Sequence, residues 1–183
     1  MEKIELTQEI IRELIDYDPE TGDCFWKFRD RKWFKSDGVW KSWNSSFSGK
    51  KTGSLNIRDG YIQLYILNIK CRLHRIIWLY VYGEWPKNMI DHINRIKSDN
   101  RLINLREATN TENGQNREKQ KNNTSGYKGV SWNKQAKKWE TKIMINSKHK
   151  HLGLFENKED AYIKYNNVRN ELHPFYNPIE NTA

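Results

Sequence analysis

Cysteine is almost missing from this chain. Cys24 and Cys71 are the only two in 183 residues, they lie far apart, and neither sits in a C-x-x-C pair. A structural zinc site built on thiolates is therefore not expected. Two free thiols are the default, with a lone disulfide as the alternative. Long apolar runs are missing as well. The amino terminus, Met1-Glu2-Lys3-Ile4-Glu5, has none, so neither a signal peptide nor a membrane span is expected, and the chain is expected to work in the cytoplasm. Acidic residues are in deficit: 23 Asp and Glu face 32 Lys and Arg, and the resulting formal charge of +9 favours a polyanionic partner. Apolar residues make up only 36%, yet eight Trp and nine Tyr are among them. Aromatic rings bury much area per residue, so small cores remain feasible. Rings beside Lys and Arg also suit base stacking and backbone contact. A soluble, basic small-domain protein is the bland alternative.

A chain of this length fits one large domain or two small ones. Thr7 can cap a short helix to Ile15 whose apolar face is Ile10, Ile11, Leu14 and Ile15. Residues 18–22 read as a turn and Cys24 to Phe28 as a strand. Residues 29–51 hold Trp33, Trp40, Trp43 and Phe47 without a clear period and read as a loop or irregular insertion. From Gly53 the pattern sharpens. Ser54 to Ile57 and Tyr61 to Leu67 form a hairpin about the turn 58–60, and Asn68 to Leu73 continues it as another strand. A helix over Leu73 to Tyr82 is ended by Gly83 and Pro86. Asn88 to Ile93 is a short strand, 94–101 a polar turn region, and Ile103 to Ala108 a second strand or extended piece. Thr109 and Glu112 have capping-box spacing, so a helix begins near Asn110 and runs to about Lys119. Residues 118–125 contain no apolar side chain and read as the domain boundary. Three strands (126–133, 138–146, 148–155) and a helix over 157–172 follow, a minimal domain. No internal repeat is present.

The densest chemistry is the pair Asp91-His92 followed by Asn104 and Asn113. A carboxylate is a natural ligand for Mg²⁺, and Asn113 offers a neutral carbonyl oxygen. Two protein ligands leave most positions open to water and phosphate. His92 titrates near neutrality and can take a proton from water. Neighbouring side chains on a strand point to opposite faces, so both serve one site only if the backbone bends. Asn104 could instead brace the loop. Such a set supplies the activated water, the charge stabilisation and the help for a leaving oxygen that phosphodiester cleavage needs. A chance Asp-His pair is the alternative.

The run Leu73-His74-Arg75-Ile76-Ile77-Trp78, then Ile90-Asp91-His92-Ile93-Asn94, then Ser98 to Arg106, then Thr109 to Asn116 resembles the HNH endonucleases, nearest the zinc-free homing type of phages and introns. The resemblance covers roughly residues 53 to 117. It implies a ββα-metal site with Asp91 and Asn113 as metal ligands, His92 as general base, and Asn104 holding the loop and orienting the base. His74 reads as a buried or capping histidine, or else as a contact to the scissile region. Arg75, Arg101 and Arg106 are candidates for phosphate contacts.

Tyr127-Lys128-Gly129-Val130, Trp139, Ile143, Leu152-Gly153-Leu154-Phe155 and Glu159 to Tyr162 resemble the AP2 DNA-binding domain over about residues 125 to 172. That resemblance implies a three-stranded sheet in the major groove with a helix behind it. Thr141, Ile143 and Ile145 should face the helix and Lys142 and Met144 outward; Leu152 should face in, and His149 and His151 out. Lys128 and Ser131 match contact positions of the first strand. The chain departs from the plant-type pattern at Lys128, Ser131, Met144 and His151, so the docking mode carries over but the base preference does not. His149-x-His151 could also be a metal pair, but no third ligand is near.

The expected fold is α+β: residues 1–52 an N-terminal segment, 53–117 an HNH ββα-metal core, 118–125 a linker, 126–174 an AP2-like domain and 175–183 a tail. The expected activity is site-specific, metal-dependent DNA cleavage on double-stranded DNA. It uses one divalent cation per site, Mg²⁺ with Mn²⁺ as a substitute, and needs neither structural zinc nor a small-molecule cofactor. The chain would act as a monomer or homodimer, in the host cytoplasm if phage-encoded. A non-cleaving DNA-binding regulator derived from such a nuclease is the alternative, as is a structural nucleic-acid protein with an accidental motif.

Overall fold

The computed structural model describes residues 4–117, 119, 122–145 and 148–177. The chain forms two compact units, Met1–Glu107 and Ala108–Ala183. Among the described residues no helix is long and apolar enough to cross a membrane.

In the first unit Thr7 caps α1 (Gln8–Leu14), its hydroxyl accepting a hydrogen bond from the Ile10 amide at 3.4 Å. The chain passes directly into β1 (Ile15–Tyr17), which pairs antiparallel with β2 (Cys24–Trp26). Residues 29–51 are more regular than their composition suggests. A 3₁₀ turn at Arg31–Trp33 leads to α2 (Asp37–Phe47), capped by the Ser36 hydroxyl. Trp40, Trp43 and Phe47 recur at helical spacing along α2, and Trp43 packs edge-on to Trp26 with ring centroids 5.7 Å apart. Gly38 and the serines, poor helix formers, hide that period in the sequence.

Next, β3 (Ser54–Leu55), β4 (Ile62–Ile66) and β5 (Ile69–Arg72) make the expected antiparallel sheet. Leu67 and Asn68, with φ of 47° and 65°, form the two-residue turn between β4 and β5. α3 (Leu73–Tyr82) has the expected span and ends on Gly83 in the left-handed region. The Gln8 side chain donates to the Tyr80 carbonyl at 2.9 Å, satisfying part of the α3 terminus. Ile11, Leu14, Ile15, Ile66, Ile76 and Ile77 are fully buried and form the centre of the core. β6 (Met89–His92) and β7 (Leu105–Ala108) form a two-stranded ladder. A 3₁₀ turn at Leu102–Asn104 replaces the first part of the extended piece expected from Ile103.

In the second unit α4 (Asn110–Asn116) opens with the expected capping box. The Glu112 amide donates to the Thr109 hydroxyl at 3.3 Å, and the Thr109 amide donates to the Glu112 carboxylate at 2.7 Å. The helix stops before Lys119 because Arg117 is extended. Lys128 donates through Nζ to the carbonyls of Gln115, at 3.1 Å, and Arg117, filling the end of the helix with a cation. Gln115 and Asn116 accept from the Phe175 and Asn177 amides at 3.3 and 3.4 Å. These bonds tie α4 to the second unit. Residues 118, 120 and 121 of that run lie outside the described residues, as do 146–147 and, in the expected tail, 178–183.

β8 (Val130–Asn133), β9 (Lys138–Ile145) and β10 (Lys148–Phe155) form an antiparallel sheet in the order β10-β9-β8. α5 (Lys158–Leu172) covers one face, with Thr141, Ile143, Ala161 and Tyr165 buried. The first strand begins at Val130, not Gly126. The chain before it is knotted around Ser125, whose hydroxyl donates to the Val130 carbonyl at 2.7 Å. Gly129 (φ +78°) lies so close to α5 that an added Cβ would sit 2.2 Å from the Tyr165 ring.

Candidate active site

Strand β6 carries Asp91 and His92, and both are buried, 7% and 4% exposed. Both faces of the strand are covered, so alternation need not send either side chain to solvent. Asp91 meets β7: Arg106 donates to its Oδ2 through Nη2 at 2.8 Å and Nε at 3.0 Å. His92 meets other neighbours. Its ring lies 5.1 Å from the His74 ring on α3 and 5.8 Å from the Tyr61 ring, and Nε2 is 3.2 Å from the Asn100 side-chain oxygen.

Burial pushes the His92 pKa below the usual histidine value, against the opposing pull of the Asn100 hydrogen bond and the Asp91 charge. His92 is therefore neutral at neutral pH, the form a general base requires. The Asn100 oxygen facing Nε2 favours the tautomer with the proton on Nε2. His74, 3% exposed, is pushed down to about 3 by burial and then by the neighbouring His92, Arg72 and Arg75 charges. It is a neutral, buried histidine at the start of α3. Its Nδ1 and the Asn100 Nδ2 are buried without a partner.

The loop between β6 and β7 is braced from inside and outside. Asn104 accepts from the Asn94 amide at 2.9 Å and donates to the Asp99 carbonyl at 2.8 Å, and its own carbonyl accepts from the Ile93 amide at 2.9 Å. The side chain seen on the histidine ring is Asn100, a residue within the quoted motif to which sequence reasoning gave no role. Asn94 and Arg101 both bond Asp99, and the Arg101 hydrogen bond holds the Asp99 carboxyl down at about 2. From outside, the Tyr17 hydroxyl donates to the Asn100 carbonyl at 2.9 Å. Gly22 lies against the same backbone: a Cβ there would be 2.5 Å from the Arg101 amide nitrogen.

Several cations expected on DNA have partners within the protein. Arg106 and Arg101 bond Asp91 and Asp99, the guanidinium of Arg75 lies 5.8 Å from the centre of the Trp85 ring, and Lys128 caps α4. Asn113 is on α4, half-buried. On the second unit the expected alternation is present: Lys142 and Met144 are exposed while Thr141 and Ile143 are buried. His149 is opposite Met144, and His151 opposite Lys142. Glu140 accepts from Lys142 at 2.9 Å and lies 3.1 Å from His151 Nδ1. Ser131, Lys142 and His149 share a shallow hollow of about 420 Å³ with Gly129 and Val130.

No group of three His, Cys, Asp or Glu that could hold a metal is present among the described residues. The Asp91 carboxylate is a hard oxygen donor, and the Asn113 side chain carries a neutral one.

The stretch from the end of β5 through α3, β6 and β7 into α4 matches a family model described as HNH endonuclease, over residues 71–115. An HNH endonuclease domain therefore lies in this chain. Protein 3.8 of Escherichia phage T7 is 37% identical over 93 residues, which cover 50% of this chain and 74% of that protein. The chain belongs to the family of Protein 3.8. No solved structure matches.

Proposed function

We propose that the chain is a site-specific, divalent-metal-dependent DNA endonuclease of the homing type. The observation that carries this reading is a neutral, buried His92 beside Asp91, held by Asn100 in a braced loop within the stretch that matches HNH endonucleases. His92 takes a proton from the attacking water through Nδ1, while Asn100 retains the Nε2 proton and fixes the ring. Asp91 and Asn113 are the ligands assigned to the cation. When bound, Mg²⁺ or Mn²⁺ supplies charge stabilisation at the phosphate and the leaving 3′ oxygen. Arg106 sets the position of Asp91 and Asn104 sets that of the loop. The first unit and α4 correspond to a ββα-metal core in this reading.

The second unit is read as the AP2-like reader. Ser131, Lys142, Met144, His149 and His151 present base and phosphate contacts from the uncovered sheet face, with Lys128 at its edge, and Arg75 adds a phosphate contact from the core. Double-stranded DNA is the substrate.

The test is plasmid DNA incubated with the full chain and Mg²⁺. Nicking or cutting that leaves 5′ phosphates, and that EDTA abolishes reversibly, is expected. Cleavage that persists in EDTA, or binding with no cleavage under any divalent cation, would refute the reading.

A further inference from the structure

Arg29, just after β2, is only 6% exposed. Its guanidinium sits in the corner of two edge-to-face indoles, 4.4 Å from the Trp26 ring centre and 3.9 Å from that of Trp43. Its backbone is clamped by α2: the amide donates to the Asn44 side chain at 2.8 Å, and the carbonyl accepts from Asn44 at 3.0 Å and from the Trp40 indole at 2.8 Å. The side chain itself makes no hydrogen bond or ion pair among the described residues, and Nε is sealed off without a partner. Burial alone pushes its pKa down to about 10.

Such a cation is costly to hold uncompensated, and the ring faces offset only part of that cost. Carboxylates were within reach of its neighbours: Lys27 pairs with Asp16, Arg31 with Asp37, Lys32 with Glu13 and Lys51 with Asp23. Arg29 has no such partner among the described residues. Exposed Lys35, Lys41 and Lys50 in the same segment form no ion pair among the described residues either. Residues 27–51 hold eight Lys and Arg against Asp30 and Asp37 alone. Exposed rings flank them: Phe28 (64%) stands edge-on to Trp40, and Phe47 (46%) lies on Trp43.

We propose that Arg29, held in the corner of Trp26 and Trp43 in a segment that also carries the exposed Lys35, Lys41 and Lys50, is a binding site for a phosphate of the DNA backbone, a contact made by the first unit. The missing counter-charge is the phosphate. A guanidinium confined by two rings and a clamped backbone loses little freedom when its outer nitrogens take two phosphate oxygens. The three lysines add long-range attraction. The choice of DNA as the polyanion rests on the nuclease reading.

The test measures duplex affinity against salt concentration for the full chain in a non-cleaving His92→Ala background. Two variants are compared, Arg29→Met and the triple Lys35→Gln/Lys41→Gln/Lys50→Gln, with folding checked by thermal melting. Each lost phosphate contact should lower the slope of log affinity against log salt by about 0.9, so the triple variant should lower it by up to about 2.7. Arg29→Met should bind several-fold more weakly. Folded variants with unchanged slope and affinity would overturn the proposal and leave Arg29 as a brace between β2 and α2. If Arg29→Met does not fold, the surface triple variant decides alone. Failure of the nuclease reading would appear separately, as binding by the parent chain without cleavage.

Discussion

Gly22→Ala is a small change at a buried position in a turn, yet the structure makes it a change to the histidine site. Gly22 has φ +78°, and an added Cβ would lie 2.5 Å from the Arg101 nitrogen and 2.6 Å from the Asn100 carbonyl carbon. Both atoms are backbone, so no rotamer relieves the clash. Ordinary contact begins near 3.4 Å, so the turn and the loop must separate by 3.4 − 2.5 = 0.9 Å. The Asn100 oxygen is already 3.2 Å from His92 Nε2. If the loop retreats that far, the contact opens beyond hydrogen-bond range and the Tyr17 hydroxyl bond to the Asn100 carbonyl is strained with it. The left-handed conformation alone costs an L-residue about 1–2 kcal/mol, which lowers the melting temperature of a domain this size by roughly 4–8 °C per kcal/mol. A misplacement of about 1 Å at a catalytic group costs on the order of 10²-fold in rate. Single-turnover cleavage under saturating DNA, measured well below the melting temperature, separates the two effects. A Gly22→Ala protein that melts lower but cleaves at the parental rate would refute the claim that this turn positions Asn100, and with it His92.

Three further outcomes follow from the same structure. Asn100→Leu should slow the chemical step by about 10²-fold or more without changing DNA affinity, and Asn100→Asp, which keeps an acceptor for Nε2, should recover much of the rate; equal rates for both would remove Asn100 from the mechanism. His74 is held neutral, its pKa pushed down to about 3 in the folded chain against an unfolded value of 6.5. Its unfolded form therefore binds protons first as pH falls, so stability should be flat above pH 6.5 and then decline toward pH 3 by up to about 1.4 kcal/mol per pH unit. Chemical unfolding at pH 7, 6 and 5 measures this, and a His74→Gln protein with the same slope would show that the decline arises elsewhere. Lys128→Met removes the cation from the end of α4 and should lower the stability of the second unit by about 1–2 kcal/mol, with faster amide exchange in α4; undiminished protection there would contradict the capping role.

Much of the fold is legible in local chemistry. Gly83 and the apolar spacing of α3 define the span of that helix, and Thr109 with Glu112 marks the start of α4. Period-two alternation along β9 is enough to turn Lys142 and Met144 outward. The features that sequence does not reveal depend on contacts between segments distant along the chain. Trp40, Trp43 and Phe47 have helical spacing, but Gly38 and the serines between them mask it, and α2 is stabilised by Trp26 and Arg29 from outside the helix. Asn100 is one of several asparagines in a polar loop, and only the folded loop brings its oxygen to His92. Lys128 reads as a free cation because nothing in its neighbours announces that the α4 carbonyls return to meet it.

The central claim is that His92, beside Asp91, activates water to cut DNA in a divalent-metal-dependent reaction. Single-turnover cleavage of an end-labelled duplex by the parent chain and by His92→Ala, each with Mg²⁺, tests it most directly. The account predicts cleavage by the parent and a loss of at least about 10³-fold in rate for the variant with duplex binding retained. A His92→Ala protein that cleaves as fast as the parent would contradict it.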